Sequence, residues 1–402
     1  MSEERYIPRN DLNIETMQIN LGPSHPTTHG IIQMDLQVAG EDIIEADVII
    51  GYLHRGFEKM CEAHNWNQAV IYTDRLNYVS PLINNVGYHL AVEKLMDIEV
   101  PSRGQYVRMV LSEIMRICDH QTALAAAAME LGGFTPFLYL MKGRELWWEL
   151  LERVVGARVT TSFTRIGGMV ADLPDWFAAA AEDILLETAN INREVHTLLT
   201  RNRIFIDRTR GVGYISPEDA ISYGFTGPML RSCGIEYDVR VAAPYLAYND
   251  IDFEIPILTN CDVYDRFYIR LLEIDQSCRI IKQGLAKLPQ GPVNHLDKNI
   301  SLPPKSEVYG SIEGLMAHFK LLMNDNGVRP EAGEVYHAIE AANGELGYYL
   351  VSTGELCPHK CRVRPTCMPF TQALPQMIKQ GMIADVVPCF GSINMIGGEL
   401  DR

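Results

Sequence analysis

"PSRGQYVRMVLSEIMRICDHQTALAAAAMELGG", residues 101–133, decides the architecture. Pro101 suits a first helical turn, where a missing N–H has no helical partner to lose. Gly132-Gly133 supplies the stop, because glycine takes the left-handed closing conformation without strain. The run between them is long, and its end, "TALAAAAMEL", is almost apolar on every side. A helix apolar all round is a buried one, so this segment is predicted to pass through the centre of the protein.

Working outward, "PLINNVGYHLAVEKLM" opens on Pro81, and helical patterns recur at about 136–156, 174–200 and 262–288. Residues 56–300 therefore read as a helical bundle. It is interrupted by "RTRGVGYISPEDAISYGFTGPMLRSCG", whose glycines and prolines predict an irregular connection with short helical turns. On the N-terminal side, residues 12–53 read as an antiparallel β meander. In "GIIQMDLQVAG", Ile32, Met34, Leu36 and Val38 alternate with Gln33, Asp35 and Gln37, the period of a half-buried strand. Residues 301–402 read as a β-containing tail carrying "EVYHAIEAANGELGYYLVSTG" and "HKCRVRPTCM". The fold class is α+β: one domain over 1–402, a central bundle of long helices with small antiparallel sheets at both ends.

The 402 residues are 47% hydrophobic, enough for an extensive core, and carry a formal net charge of −16. That charge excludes a nucleic-acid partner, since binding phosphates needs a basic surface. It also gains nothing from anionic lipid, so a membrane is reached through partner proteins. No segment reads as a transmembrane helix, and the charged "MSEERYIPRND" is no secretory signal. The nine cysteines lack small-domain disulfide spacing, which predicts reduced thiols and a cytoplasmic setting.

Two histidines stand out in "GPSHPTTHG", the loop between the first two strands. His25 and His29 are four residues apart, a helical metal-pair spacing. Pro26, however, pushes His25 towards an extended backbone and removes that geometry. The imidazoles are either functional groups on a stiff loop or bonded to nearby backbone. Tyr78 in "TDRLNYVSP" either donates a hydrogen bond into a cleft or is a core residue with a satisfied hydroxyl. Glu130, a carboxylate among alanines, needs a partner or a proton; otherwise it faces water or caps a neighbouring helix. His54, Arg55 and Arg165 sit at element junctions, as partner-binding groups or as ion-paired scaffold. "CPHKCRVRPTC" places Cys357, Cys361 and Cys367 together, but its spacing is neither a zinc knuckle nor a ferredoxin run. There is no dinucleotide or Walker A motif and no G-x-S-x-G or H-E-x-x-H.

Six stretches in order, "NLGPSHPTTHG", "GYLHRGFEK", "YTDRLNYVSP", "LAVEKL", "ERVVGARVTTSFTRIGG" and "GSINMIGGELDR", resemble one family over about residues 13–402. It is the D-type subunit of the proton-pumping NADH–quinone oxidoreductases, bacterial complex I, which includes the mitochondrial hydrogenase-like large subunit of the peripheral arm. The family is similar to the large subunit of nickel–iron hydrogenases. The two cysteine pairs that hold nickel there are missing here, and without soft thiolates that site cannot form.

The resemblance implies that the emptied cavity takes a quinone headgroup. His29 and Tyr78 would bind it from opposite sides, and Glu130 would be the acid paired with His29, all three catalytic. Arg55 and Arg75 would lie near the terminal iron–sulfur cluster carried by the neighbouring B-type subunit, and His25 would support the loop. The chain itself would bind no metal or cofactor, with quinone as substrate. Its partners would be the B-type and C-type subunits and the H-type membrane subunit, on the cytoplasmic side of the bacterial cell membrane, with quinone reduction coupled to proton translocation. Alternatives are the equivalent subunit of a complex fed by reduced coenzyme F420 or ferredoxin, and a non-catalytic scaffold. The chain departs from the family pattern in having Glu130 for the usual aspartate, Thr160 for a common histidine, Ile166 in "RIGG" for proline, and Asn394 for aspartate.

Overall fold

The computed structural model describes residues 15–323 and 326–402. Residues 12–14, the predicted start of the meander, lie outside them. Strands β1 (Met17–Leu21), β2 (Gln33–Ala39) and β3 (Asp42–Ile49) form an antiparallel sheet in that order, with Leu21 opposite Met34 and Gln33 opposite Ile49. The alternation read from the sequence is present: Ile32, Met34, Leu36 and Val38 are buried, while Gln33, Asp35 and Gln37 are not. Each such buried side chain contributes about 1.5–3 kcal/mol.

Helices α1 (Phe57–Ala63), α2 (Val70–Thr73) and α3 (Pro81–Leu95) lead into α4 (Ser102–Glu130), 29 residues and about 43 Å long. Gly132, at φ +84°, turns the chain into α5 (Phe134–Val155), which packs back against α4. A small ladder of β4 (Thr164–Arg165) and β5 (Gly168–Met169) precedes α6 (Phe177–Val195), which widens into a π-helical turn through Thr200. The Gly- and Pro-rich connection holds the short helices α7 (Arg203–Thr209), α8 (Pro217–Tyr223), α9 (Gly227–Arg231) and α10 (Val239–Ala242). Helix α11 (Val263–Ala286) then packs along α4.

The C-terminal region is less β-rich than its sequence suggests. The first helices after residue 304 are α12 (Lys305–Gly310) and α13 (Ile312–Leu322), the latter capped by Ser311 Oγ on the Gly314 N–H at 3.0 Å. The sheet is β6 (Gly333–Ala341), β7 (Gly344–Ser352) and β8 (Lys360–Arg364), and "HKCRVRPTCM" is a strand only as far as Arg364. Pro365 follows with no N–H for a ladder. Helices α14 (Cys367–Ile378), α15 (Ile383–Ser392) and α16 (Gly397–Leu400) complete the chain. They return it to its beginning: Phe370, Leu374, Ile378 and Phe390 share a core with Met34, Leu36, Val38 and Ile43. On the other side, α3 lies against β6 and β7 so closely that a Cβ on Gly87 would fall 2.7 Å from Ile339 Cδ1.

Helix α4 is central, as predicted, but for a different reason. Its alanine-rich end is the shallower part, with Ala126 and Ala127 half-buried and Met129 exposed. The deeply buried stretch holds Arg108, Glu113, Arg116, Asp119 and His120. These charges are tolerated because each is partnered. Arg108 grips Glu93 at 2.7 and 2.8 Å and also donates to the carbonyls of Arg165 and Gly168. Arg116 donates to the carbonyls of Glu340 and Ala341, and His120 meets Glu273 at 2.8 Å. Such pairs hold register more than they add stability, yet removing one partner strands the other in a low dielectric.

Candidate functional site

In "GPSHPTTHG", His25 is extended (φ −133°, ψ 137°), as Pro26 dictates. Pro26–Thr28 makes one 3₁₀ turn, and His29 closes it in the left-handed region at φ 52°. His25 Nδ1 accepts the Thr27 N–H at 3.2 Å, so this imidazole caps the turn. Thr28 Oγ1 donates to the carbonyls of Pro23 and His25 and ties the loop to itself. The turn aims the other histidine at the end of α4. His29 Nε2 lies 2.5 Å from Glu130 Oε1, an imidazole–carboxylate hydrogen bond. The His29 side chain is 40% exposed and that of Glu130 11%. The imidazole is thus partly open while its acid partner is enclosed. The ring also meets Phe390 edge-on, centroids 5.2 Å apart.

Tyr78 stands on a separate support. Its neighbours Asn77 and Ser80 donate to Asp119 Oδ2 at 2.7 and 2.8 Å. The other oxygen of Asp119 accepts Asn394 Nδ2 at 2.8 Å, and Asn394 also donates to Asn343 at 2.7 Å. One buried carboxylate therefore pins the segment that presents Tyr78 to the residues following α15. Tyr78 is 39% exposed, and its hydroxyl has no hydrogen-bond partner among the described residues. Burial pushes its phenol above the ordinary tyrosine value, as do Cys367 and Asp119, against the opposing charge of Arg55. The group stays an O–H donor throughout the neutral range.

Arg55 donates to the Arg75 carbonyl at 2.7 Å and reaches the Gly398 carbonyl at 3.4 Å. Arg75 pairs with Asp74 at 3.6 Å and donates to the Ile71 carbonyl. Both arginines thus gather on the segment that carries Tyr78, and both are exposed. Arg165 is turned inward on the carbonyls of Ser162 and Thr164. His54 bonds the Asp401 carbonyl at 2.6 Å, while the Asp401 carboxylate accepts the N–H groups of Gly51 and Leu53. The "GELDR" end is in this way tied to "GYLHRGFEK".

The tempting cysteines separate. Cys361 is buried in β8 beside Cys61 of α1. Cys367 heads α14, 3.6 Å from Glu399, and Cys357 is half-buried. Among the described residues, no three His, Cys, Asp or Glu side chains gather as a metal site.

The structure thus joins His29 to Glu130 directly, and Arg55, Arg75 and Tyr78 to one segment. A cleft of about 730 Å³ between the 165–172 turn and α13, lined by Met169, Pro304 and Phe319, includes none of these residues. Sequence reasoning missed Asp119, Phe390 and Gly391. Asp119 had one faint signal, a carboxylate in the middle of a helix expected to be buried. Phe390 and Gly391 had none.

Residues 130–402 match the family model of the respiratory-chain NADH dehydrogenase 49 kDa subunit. The chain is 52% identical over 393 residues to the D 1 subunit of the NADH-quinone oxidoreductase of Sorangium cellulosum, covering 98% of this chain and 97% of that one. It is 49% identical over 391 residues to the corresponding D-type subunit of Myxococcus xanthus (97% and 94%). It is 46% identical over 399 residues to the C/D-type subunit of the same enzyme in Bdellovibrio bacteriovorus (98% and 70%). No helix in the described residues is long and apolar enough to cross a membrane. The fold, a helical body with small antiparallel sheets near each end, and these matches agree: the chain belongs to the D-type subunit family of the NADH–quinone oxidoreductases, the 49 kDa subunit of respiratory-chain NADH dehydrogenase.

Proposed function

We propose that this chain forms the quinone-headgroup pocket of a membrane-bound NADH–quinone oxidoreductase, with His29 and Tyr78 as the groups that hold the quinone and Glu130 as the acid that orients His29. The observation that carries the reading is the half-open imidazole held at 2.5 Å by an enclosed carboxylate. The unpartnered Tyr78 phenol, kept protonated by its surroundings, adds to it. A quinone carbonyl accepts hydrogen bonds, and the same oxygen accepts them more strongly as electrons arrive. Reduction takes two electrons and two protons per quinone and yields the quinol. The Tyr78 O–H and the His29 N–H are donors suited to deliver those protons, and the carboxylate of Glu130 compensates an imidazolium between transfers.

In this reading the electrons come from the terminal iron–sulfur cluster of the B-type subunit, docked near the exposed Arg55 and Arg75, whose charge favours the reduced cluster. That neighbour and the H-type membrane subunit complete the pocket, and the chain is peripheral on the cytoplasmic side. Quinone reduction drives proton translocation in the membrane subunits. The joint C/D name of the Bdellovibrio relative supports the C-type subunit as a neighbour.

The test is Tyr78→Phe in the assembled complex in native membranes. The rate from NADH to an artificial acceptor that draws electrons early is expected to survive. The rate to a short-chain quinone is expected to fall about 10²-fold. Survival of both rates would move the headgroup elsewhere and leave this chain a scaffold.

A further inference from the structure

Glu130 is satisfied on one side only. Oε1 takes the His29 bond; Oε2 is buried and has no hydrogen-bond partner. What stands against Oε2 is Gly391 of α15. A Cβ built there would lie 2.2 Å from Oε2 and 3.3 Å from Cδ, whereas the Cα of Ala127 is at an ordinary 3.6 Å. Gly391 has an ordinary helical backbone and is absent from the left-handed glycines, so conformational freedom does not account for it. The space its missing side chain leaves is the space the carboxylate fills. The residue before it, Phe390, is the one whose ring meets His29. Two consecutive residues of α15 thus bear on the two members of one pair.

We propose that the Phe390–Gly391 step is the positioning element of the His29–Glu130 pair: Phe390 fixes the imidazole and the bare Cα of Gly391 admits the glutamate carboxylate. This rests on the quinone reading above and adds to it what sets the pair's geometry. A methyl group at 391 meets the tip of a flexible side chain, which can swing aside. That swing carries Oε1 away from His29, because the carboxylate moves as a rigid unit. The expected defect is therefore in quinone turnover rather than in folding. Shortening the acid by one methylene relieves the clash.

The experiment compares Gly391→Ala, Glu130→Asp and the double variant in the assembled complex. For each, the NADH-to-artificial-acceptor rate and the kcat and KM for a short-chain quinone are measured. Gly391→Ala is expected to keep the artificial-acceptor rate and lose about tenfold in quinone kcat. The double variant should return to within about twofold of Glu130→Asp alone. A normal quinone kcat in Gly391→Ala, or a double variant whose losses simply multiply, overturns the proposal. Should Gly391→Ala fail to assemble, Phe390→Leu decides: a severalfold loss of quinone kcat at unchanged artificial-acceptor rate supports it, and no change sinks it. If Glu130→Gln and His29→Ala themselves leave quinone turnover intact, the underlying quinone reading has failed. If they impair it while Gly391→Ala does not, only the positioning role has.

Discussion

Two of the carboxylates on helix α4, Asp119 and Glu130, stand about three turns apart in opposite circumstances. Asp119 is fully buried and accepts three side-chain hydrogen bonds, from Asn77, Ser80 and Asn394. Glu130 accepts one, from a partly exposed histidine, and its second oxygen has no partner. The first is saturated: its charge is spread over three donors, and it holds α4, the 77–80 segment and the residues after α15 in register. The second is held in place while remaining chemically unfinished. A carboxylate with spare capacity beside an open imidazole is equipped to respond to a proton; one with none is equipped to stay still.

That contrast breaks first at Asp119. Asp119→Ala leaves two buried donors, Asn77 and Ser80, without an acceptor, each costing about 1–3 kcal/mol, and removes one of the two bonds of Asn394. A loss of about 3 kcal/mol or more is expected, measured as a fall in the thermal midpoint or in the yield of assembled complex, with all activities lost together. If Asp119→Ala assembles normally and loses only quinone turnover, the two carboxylates have been assigned the wrong way round.

A smaller effect is expected on acidification. At Glu273 burial alone would raise the carboxyl, but Arg231 and the hydrogen bond from His120 outweigh it and hold it well below the ordinary 4.5. At Glu113, burial is likewise outweighed by Arg116 and Arg240. Carboxyls lowered in the folded state contribute stability that is fully present above about pH 4.5 and is lost as pH falls below it. Unfolding monitored against pH should therefore show a decline that begins below about 4.5. A flat profile there would mean that these buried pairs are not coupled to folding.

The least effect on stability is expected at the other end of the helix, and it sharpens the contrast most. Glu130→Gln keeps the shape and an acceptor oxygen but removes the charge, changing stability by about 1 kcal/mol or less. Quinone turnover should nonetheless drop about 10²-fold, with the artificial-acceptor rate preserved. Equal losses in both rates would make Glu130 a structural residue like Asp119.

How much of this is legible in the sequence follows from the range of each interaction. Pro101 and Gly132 mark the ends of α4 because helix ends are local chemistry. Pro26 likewise rules out a helix through His25 and His29 from the sequence alone. The alanines of α4 point to its centrality, yet its charged middle is the deeper part, because the partners Glu93, Glu273 and Glu340 come from other elements, which no periodicity reveals. The bond from His29 to Glu130 spans 101 residues and is reached only through the family resemblance. Cys357, Cys361 and Cys367 mislead in the opposite sense: they are close in sequence, but a strand end and a helix start part them. Gly391 leaves no trace at all, since a helical glycine carries no pattern that says which carboxylate fills its place.

The most direct test of the central claim is a double-mutant cycle on His29 and Glu130, read as quinone turnover in the assembled complex with the artificial-acceptor rate as reference. If the two side chains act as one unit, His29→Ala, Glu130→Ala and the double variant will show nearly the same loss of quinone kcat, each with the artificial-acceptor rate retained. If the two losses multiply in the double variant, or if neither single variant impairs quinone turnover, the pair is not the working unit of this site.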